Sequence, residues 1–364
     1  MLAPSMTGGR APLCVGSYTS GISGGRRGYG LAVVDVPSCD GEIELRGVVE
    51  GVPDPSFLAL SPDRSTLYAV NEVPGGQGQV TALRFDDTGW PRVLGRQSTG
   101  GTSPAHLSVH PSGRFVLVAN YGSGSVAVHP VRPDGSLDEP STVVQHTGSG
   151  PIRPQQSSSH PHMVVTDPSG QWILVVDLGT DHVYVYRLDE AKGALTEHGR
   201  TAVLPGAGPR HLVFHPNGRY AYLVNELNSS VTVCRWSTES GELRLGQGLS
   251  TLEDREEGRT ENWAGAVLIS SDGRFVYATN RGDDSIAMFA VVGDGERLGW
   301  LGKVPCGGSW PRHAALCREG DLLYVANQRS GELVTFTVNR RTGRLTRAGA
   351  GLPMPEAACV LPID

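Results

Sequence analysis

The chain has 364 residues and a formal net charge of −6, with acidic and basic side chains interspersed, so nucleic acid is not an expected partner. Its 49 Gly and 25 Pro, and the lack of a sustained apolar run at helical spacing, favour short strands over long helices. No apolar stretch resembles a signal segment or a membrane span, so we expect a cytoplasmic protein without a membrane partner and with free thiols.

Six copies of an internal repeat lie after a short apolar segment at residues 13–17. Each copy has a short apolar strand, usually preceded by Pro, a tight turn that is typically Pro-Ser-Gly or Pro-Asn-Gly, a second apolar strand and a closing Asn or Asp. A third strand and a more variable outer strand complete each copy, which predicts four strands per blade. Successive copies are 47 to 57 residues apart, and their closing residues are Asn71, Asn120, Asp177, Asn225, Asn280 and Asn327.

A seventh copy is split between the two ends of the chain. Residues 13–17 stand where a second strand belongs, and residues 355–361 fit a first strand. Pairing the two would remove open sheet edges. We therefore predict an all-β fold: a seven-bladed β-propeller with four antiparallel strands per blade, one domain over residues 1–364, closed by its terminal strands. Six blades with a loose N-terminal arm is the alternative.

Polar residues at one end of each inner hairpin are the candidate site. Residues eight positions before and after the turn residue face each other across a hairpin, and in a ring they lie at one mouth of the central channel. These positions vary between copies in charge and shape, and they include His162, Arg210, Arg312, Glu72, Tyr121, Glu226, Arg281 and Gln328. Strand alternation predicts that the next residues, His106, His211 and His313, point to the other strand face as packing or supporting residues.

Two interpretations of this mouth stay open on geometry alone. Convergent polar groups in a concave site indicate ligand binding, whereas the same charges could simply pair with each other. The sequence has no GxSxG, HExxH or phosphate-loop motif, so neither a cofactor nor a metal is expected, and hydrolysis would need water activated by His or Glu.

The segment GPRHLVFHPNGRYAYLVNELNSSVTVCRW at residues 208–236 closely resembles the propeller-type 6-phosphogluconolactonases, a family that includes carboxy-cis,cis-muconate cyclases. The likeness continues through VGSYTSG at 15–21, the strands at 107–128, SHPH at 159–162 and DGRFVYATNRGDDSIAMF at 272–289. The resemblance implies binding and catalytic roles for His162, Arg210, Glu226 and Arg281. Ala266 departs from it, because family members usually carry an acidic residue there, which puts the substrate and the support of Arg281 in question.

The resemblance implies hydrolysis of a sugar lactone, first of all 6-phosphoglucono-1,5-lactone of the pentose phosphate pathway. Arginines would hold the anion and stabilise the oxyanion, and His162 or Glu226 would activate water, with Glu226 between arginines better suited to orienting them. Arg312, Tyr121, Gln328 and Glu72 are expected to bind the substrate. We expect a monomer or a weak homo-oligomer.

Two other functions fit the same residues. A lactone-forming cyclase or lyase could use two arginines for the two carboxylates of a muconate-like diacid. A non-catalytic propeller could bind a ligand or protein on its top face, although such scaffolds tend to expose aromatic anchors, and this face is rich in Arg, His and Glu.

Overall fold

A computed structural model describes residues 10–22, 26–37, 42–253 and 261–363. These residues form 28 strands in seven four-stranded antiparallel sheets, which are the blades of a propeller. No helix in the described ranges is long and apolar enough to cross a membrane. The five described cysteines are buried and free, and Cys39 lies outside the described residues.

The strands are numbered in chain order. Blade 1 contains β1 (Arg10–Ser17), β2 (Leu31–Val36) and β3 (Glu44–Val49); blade 2 contains β4 (Pro55–Leu60), β5 (Thr66–Asn71), β6 (Gln79–Phe85) and β7 (Pro91–Ser98); blade 3 contains β8 (Pro104–Val109), β9 (Phe115–Asn120), β10 (Ser125–Pro130) and β11 (Thr142–Gln145). Blade 4 contains β12 (Pro161–Thr166), β13 (Trp172–Asp177), β14 (His182–Asp189) and β15 (Ala194–Ala202); blade 5 contains β16 (Pro209–Phe214), β17 (Tyr220–Asn225), β18 (Ser230–Ser237) and β19 (Glu242–Ser250). Blade 6 contains β20 (Trp263–Ile269), β21 (Phe275–Arg281), β22 (Ser285–Val292) and β23 (Arg297–Pro305); blade 7 contains β24 (Pro311–Leu316), β25 (Leu322–Asn327), β26 (Glu332–Val338) and β27 (Leu345–Pro353), and β28 (Ala357–Pro362) returns to blade 1.

The two ends of the chain close the ring in blade 1. This sheet has the order β28-β1-β2-β3, and β28 pairs antiparallel with β1, with Val360 opposite Val15. The split copy is thus confirmed, and the alternative of six blades with a loose arm is wrong. Closure gives blade 1 its innermost strand, so the edge of β1 that would otherwise be open is paired with β28.

Apolar packing between neighbouring blades provides the core. The buried residues of the described chain form seven clusters, one at each blade-to-blade interface. Three second-strand tyrosines add a directional contact, since the hydroxyls of Tyr68, Tyr222 and Tyr277 donate to glycine carbonyls of the next blade. Burying both faces of each sheet explains why the inner strands have continuous apolar sequences.

The turns between first and second strands also link the blades. Gly170 and Gly273 occupy the left-handed region, with φ of 77° and 74°, which glycine adopts without steric cost. Their carbonyls accept hydrogen bonds at 3.1 Å from Nε2 of His110 and His215 in the preceding blades. The turn histidines are therefore structural.

An extra residue interrupts each innermost strand near the mouth. In blade 4, Pro161 pairs with Asp177 and Met163 pairs with Val176, so His162 has no opposite partner. The same shift occurs in all seven blades. A β-bulge of this kind re-aims side chains, and the bulged positions are Ser56, Ala105, His162, Arg210, Arg312, Ala358 and the Gly265–Ala266 segment.

The pairing of β28 with β1 can be tested by comparing two variants, one with aspartate at a buried site in β28 and one with aspartate at an exposed site elsewhere. Val360 is fully buried in the cluster between blades 1 and 7, so Val360→Asp buries a carboxylate and should lower the free energy of unfolding by roughly 3 kcal/mol or more. Val143 in β11 is 43% exposed, and Val143→Asp should cost less than about 0.5 kcal/mol. Chemical denaturation followed by circular dichroism measures both, and equal midpoints for the two variants would contradict this closure.

Candidate functional site

Glu226 joins two arginines at the mouth of the channel. Its Oε2 lies 3.0 Å from Nε of Arg210 in the same blade and 2.6 Å from Nη2 of Arg281 in blade 6. The side chains of Arg210 and Arg281 are 3% and 5% exposed, whereas Glu226 is 13% exposed. The carboxylate therefore neutralises part of a buried positive pair and remains in contact with the solvent side of the mouth.

Backbone carbonyls fix the two guanidinium groups. Arg210 Nη1 donates to the carbonyl of Gly265 at 2.8 Å, and Arg281 donates to the carbonyls of Trp263 and Ala264 at 3.3 and 3.1 Å. A side chain at Gly265 would lie 2.4 Å from Thr279 Oγ1, so this position excludes anything larger than glycine.

Ala266 is the position at which the sequence departs from the family pattern. It is buried, and its N–H donates to Thr279 Oγ1 at 2.8 Å. Glu226 and the carbonyls already hold Arg281, so an acidic side chain at position 266 is not needed for that purpose.

His162 is buried beside this cluster as a neutral imidazole. Its ring packs edge-on against Tyr121 at 5.6 Å and against His211 at 5.2 Å between centroids. Burial lowers the pKa of His162 well below its usual range, and the charges of Arg210 and Arg312 lower it further. Its buried Nδ1 makes no hydrogen bond to another described residue, and a buried orphan polar atom at a mouth indicates a place for a ligand or water.

A buried network holds the loop that precedes His162. Asp177 accepts hydrogen bonds from His146 Nδ1 at 2.9 Å, from Ser159 Oγ at 2.6 Å and from the backbone N–H of His160 at 2.9 Å. The Tyr186 hydroxyl lies 2.7 Å from the other nitrogen of His146. These bonds outweigh the effect of burial and lower the pKa of Asp177. Sequence reasoning missed this network because His146 lies far from Asp177 along the chain.

A second ion pair at the mouth joins blades 7 and 2. Arg312 Nη2 is 3.6 Å from Glu72 Oε2, and this oxygen accepts a 2.6 Å hydrogen bond from the Tyr18 hydroxyl. Arg312 also lies over the Tyr18 ring at 5.3 Å. Tyr18 follows the second strand of the split copy, so it occupies the same position as Glu72, and counting that copy would have placed it in the binding set.

The predicted site residues therefore share one mouth. Glu226 bridges Arg210 and Arg281, Tyr121 contacts His162, and Glu72 pairs with Arg312. Gln328 is buried at the same level, and its Nε2 donates to Glu356 at 3.2 Å. Whether these groups act on a substrate stays a prediction.

The channel floor contains Phe57, His106, His211 and His313. Ring centroids lie 3.9 Å apart for Phe57 and His106, 5.5 Å for His106 and His211, and 6.5 Å for His211 and His313. These rings come from four blades and can meet only in the channel, so the prediction that the histidines point to the other strand face was wrong. The bulge is the reason, because it lets two consecutive residues face the axis. Their role as packing residues beneath His162 fits the contacts.

Burial also sets the protonation of the surrounding groups. It lowers the pKa of His106 and His211 well below the usual range and that of His313 to about 3. It raises the pKa of Tyr18 and Tyr121, which therefore keep their protons as hydrogen-bond donors. Burial and the charge of Arg281 lower the pKa of Arg210, but a guanidinium paired with a carboxylate remains protonated near neutrality.

One cluster with potential metal ligands lies at the other end of a hairpin, in the turn after β24. Cys317, Glu319 and Asp321 place one ligand atom each within 4.8 Å of the others. Arg10 already fills this space, with Nη1 2.7 Å from Asp321 Oδ1 and 3.3 Å from Glu319 Oε2. The guanidinium takes the place that a cation would need.

Comparisons with known proteins agree with this architecture. The sequence profile of the family described as "Lactonase, 7-bladed beta-propeller" matches residues 12–362. The 6-phosphogluconolactonase of Bacillus subtilis (strain 168) is 37% identical over 348 residues, or 95% of this chain and 96% of the relative. That of Formosa agariphila is 32% identical over 340 residues, or 92% of this chain and 94% of the relative. The structure of a periplasmic gluconolactonase from Pseudomonas aeruginosa has a TM-score of 0.88 and 33% identity, covering 96% of this chain and 98% of that chain.

Five described histidines with pKa values lowered by burial predict acid sensitivity of the fold: His106, His129, His162, His211 and His313. Each has a pKa below that of the same group in the unfolded chain, so the unfolded state binds more protons once the pH falls below about 6.5. Stability is then full above this pH and falls below it, by up to about 1.4 kcal/mol per pH unit for each histidine. Thermal unfolding between about pH 7.5 and about pH 5 should show this decline.

The variant His106→Gln removes one of these five groups and should make the decline shallower by about a fifth. His198→Gln, on the exposed outer strand β15, is the matched control and should leave the slope unchanged. An unaltered slope in His106→Gln would contradict the assignment of the acid sensitivity to these buried histidines.

Proposed function

Because this chain belongs to the family of seven-bladed β-propeller lactonases, we propose that it hydrolyses a sugar lactone, with 6-phosphoglucono-1,5-lactone as the first candidate. The principal support within the structure is the Arg210–Glu226–Arg281 cluster. It places anion-binding groups beside a buried neutral imidazole, which can accept a proton.

The arginines can bind the anionic group of the substrate and can also stabilise the oxyanion that forms during the reaction. A guanidinium forms paired hydrogen bonds to carboxylate or phosphate oxygens, and it also stabilises the oxyanion that develops on an attacked carbonyl. One such donor at the oxyanion is worth roughly 3 kcal/mol. Glu226 is committed to both guanidinium groups through one oxygen, so it orients Arg210 and Arg281.

His162 is the base in the proposed reaction. A water oxygen attacks the lactone carbonyl carbon while His162 accepts a proton from this water. The bond between that carbon and the ring oxygen then breaks, and the imidazolium returns the proton to the ring oxygen, which leaves as an alcohol. The lowered pKa keeps His162 in its base form at neutral pH and makes its protonated form a stronger acid toward the leaving oxygen.

The direct test is hydrolysis of 6-phosphoglucono-1,5-lactone by the purified protein. Product formation is measured against the spontaneous opening of the lactone in buffer, and a muconate-like diacid is incubated in parallel. We expect acceleration with the lactone and no conversion of the diacid. Lactone formation from the diacid alone would instead identify a cyclase, and inactivity on both would contradict the proposal.

Replacing His162 should remove most of the catalysis. We expect His162→Ala and His162→Gln to lower kcat at least ~100-fold while the melting temperature stays close to that of the wild type. The wild-type kcat/KM should remain flat through about pH 6.5, because the base is protonated only well below that value. Unchanged kcat in both variants would exclude His162 as the base.

A further inference from the structure

Two tryptophans stand side by side on one sector of the mouth. Trp263 and Trp310 each come immediately before the first-strand segment that carries the bulge, in blades 6 and 7, and Trp263 pairs with Arg281 across the hairpin. Their rings meet edge-on, with centroids 5.3 Å apart and planes at 83°. Both side chains are only partly buried, so indole surface faces the entrance beside an anion-binding arginine.

The backbone at Trp310 has a conformation that bulky residues rarely adopt. Its φ is 65°, and the equivalent residues Asp54, Ser103, Gly208 and Glu356 in other blades also have positive φ, between 42° and 61°. Asp284 accepts the Trp310 N–H at 2.7 Å, and the Trp310 carbonyl accepts the N–H of Gln328 at 3.0 Å. Trp310 has the bulkiest side chain among these equivalent residues, and because a bulky residue at positive φ is strained, the presence of an indole here points to a role for the ring.

Arg329 lies against the face of the Trp310 ring. Its guanidinium carbon is 3.3 Å from the ring centroid, and that of Arg281 is 5.8 Å from the same centroid, so the two charges are at most about 9 Å apart. Arg329 is exposed, and within the described residues no carboxylate forms an ion pair with its guanidinium. Unlike Arg210 and Arg281, which share Glu226, Arg329 keeps its N–H donors available for a ligand.

We propose that Trp263, Trp310 and Arg329 form the subsite for the phosphate-bearing end of the lactone. This rests on the proposed hydrolysis and extends it to the choice of substrate. A lactone of the glucose series has an apolar C–H surface that packs on an indole, and a guanidinium held on an aromatic face pairs readily with phosphate oxygens. The lactone carbonyl then lies toward Arg281 and His162, and the terminal phosphate lies at Arg329.

The test compares 6-phosphoglucono-1,5-lactone with glucono-1,5-lactone in three variants. Arg329→Gln should lower kcat/KM for the phosphorylated lactone by about 10- to 100-fold, mainly through KM, and leave the unphosphorylated lactone unchanged. Arg329→Lys should restore part of the loss. Arg187→Gln is the matched control, because Arg187 is also an exposed arginine over a tryptophan, Trp172, but on β14, the third strand of blade 4.

Binding gives a readout that does not depend on turnover. Titration with 6-phosphogluconate should change the tryptophan fluorescence of the wild type and of Arg187→Gln, and should require much higher concentrations in Arg329→Gln. Equal losses for both lactones in Arg329→Gln, or no loss for either, would overturn the subsite. If the wild type opens neither lactone, the hydrolysis proposal fails, and the titration then decides the subsite alone: Arg329-dependent binding supports it, and binding insensitive to Arg329 or no binding rejects it.

Discussion

Which side chains line the channel depends on one extra residue near the mouth end of each innermost strand. In a regular strand, consecutive side chains alternate between faces, so only one of two neighbours would reach the axis. The bulge brings both His211 and Arg210 to the channel. The result is two layers, with charged groups at the mouth and aromatic rings below them, built from the same short segment in successive blades.

The two layers depend on each other electrostatically. Buried guanidinium groups are costly unless they are paired, and Glu226 and Glu72 supply the partners for Arg210, Arg281 and Arg312. The floor beneath them must then stay neutral, because a further positive charge would have no partner. Burial and the nearby arginines keep the floor imidazoles unprotonated, which also leaves His162 as a base. Most of the charged side chains at the mouth pair with each other, as the ion-pair interpretation predicted. The Nδ1 atom of His162, however, has no hydrogen-bond partner among the described residues.

The sequence predicted those parts of the structure that are determined by residues close together along the chain. Pro and Gly specify each turn within a few residues, and spacing from the turn placed His162 and Arg210 at the same level. The bulge left no such signal, since a Pro followed by two ordinary residues is compatible with regular alternation. In the split copy, Ala357 rather than Pro355 takes the place of the usual Pro, which obscured the equivalence of Tyr18 with Glu72. The contact between His146 and Asp177 depends on the path of a long loop, which no short pattern encodes.

The residue just before the bulged segment makes different contacts in different blades. In blade 2 this residue is Asp54, which accepts the N–H of Ser20 and ties down the loop after β1. In blade 4 it is His160, which stacks on Tyr121 and donates to its carbonyl. The Asp54 carboxylate and the His160 ring are thus engaged by neighbouring blades, whereas the partly exposed indoles of Trp263 and Trp310 contact each other and the guanidinium groups of Arg281 and Arg329. The sector of blades 6 and 7 therefore offers a surface on which a sugar can pack, next to the arginine that Glu226 holds in place.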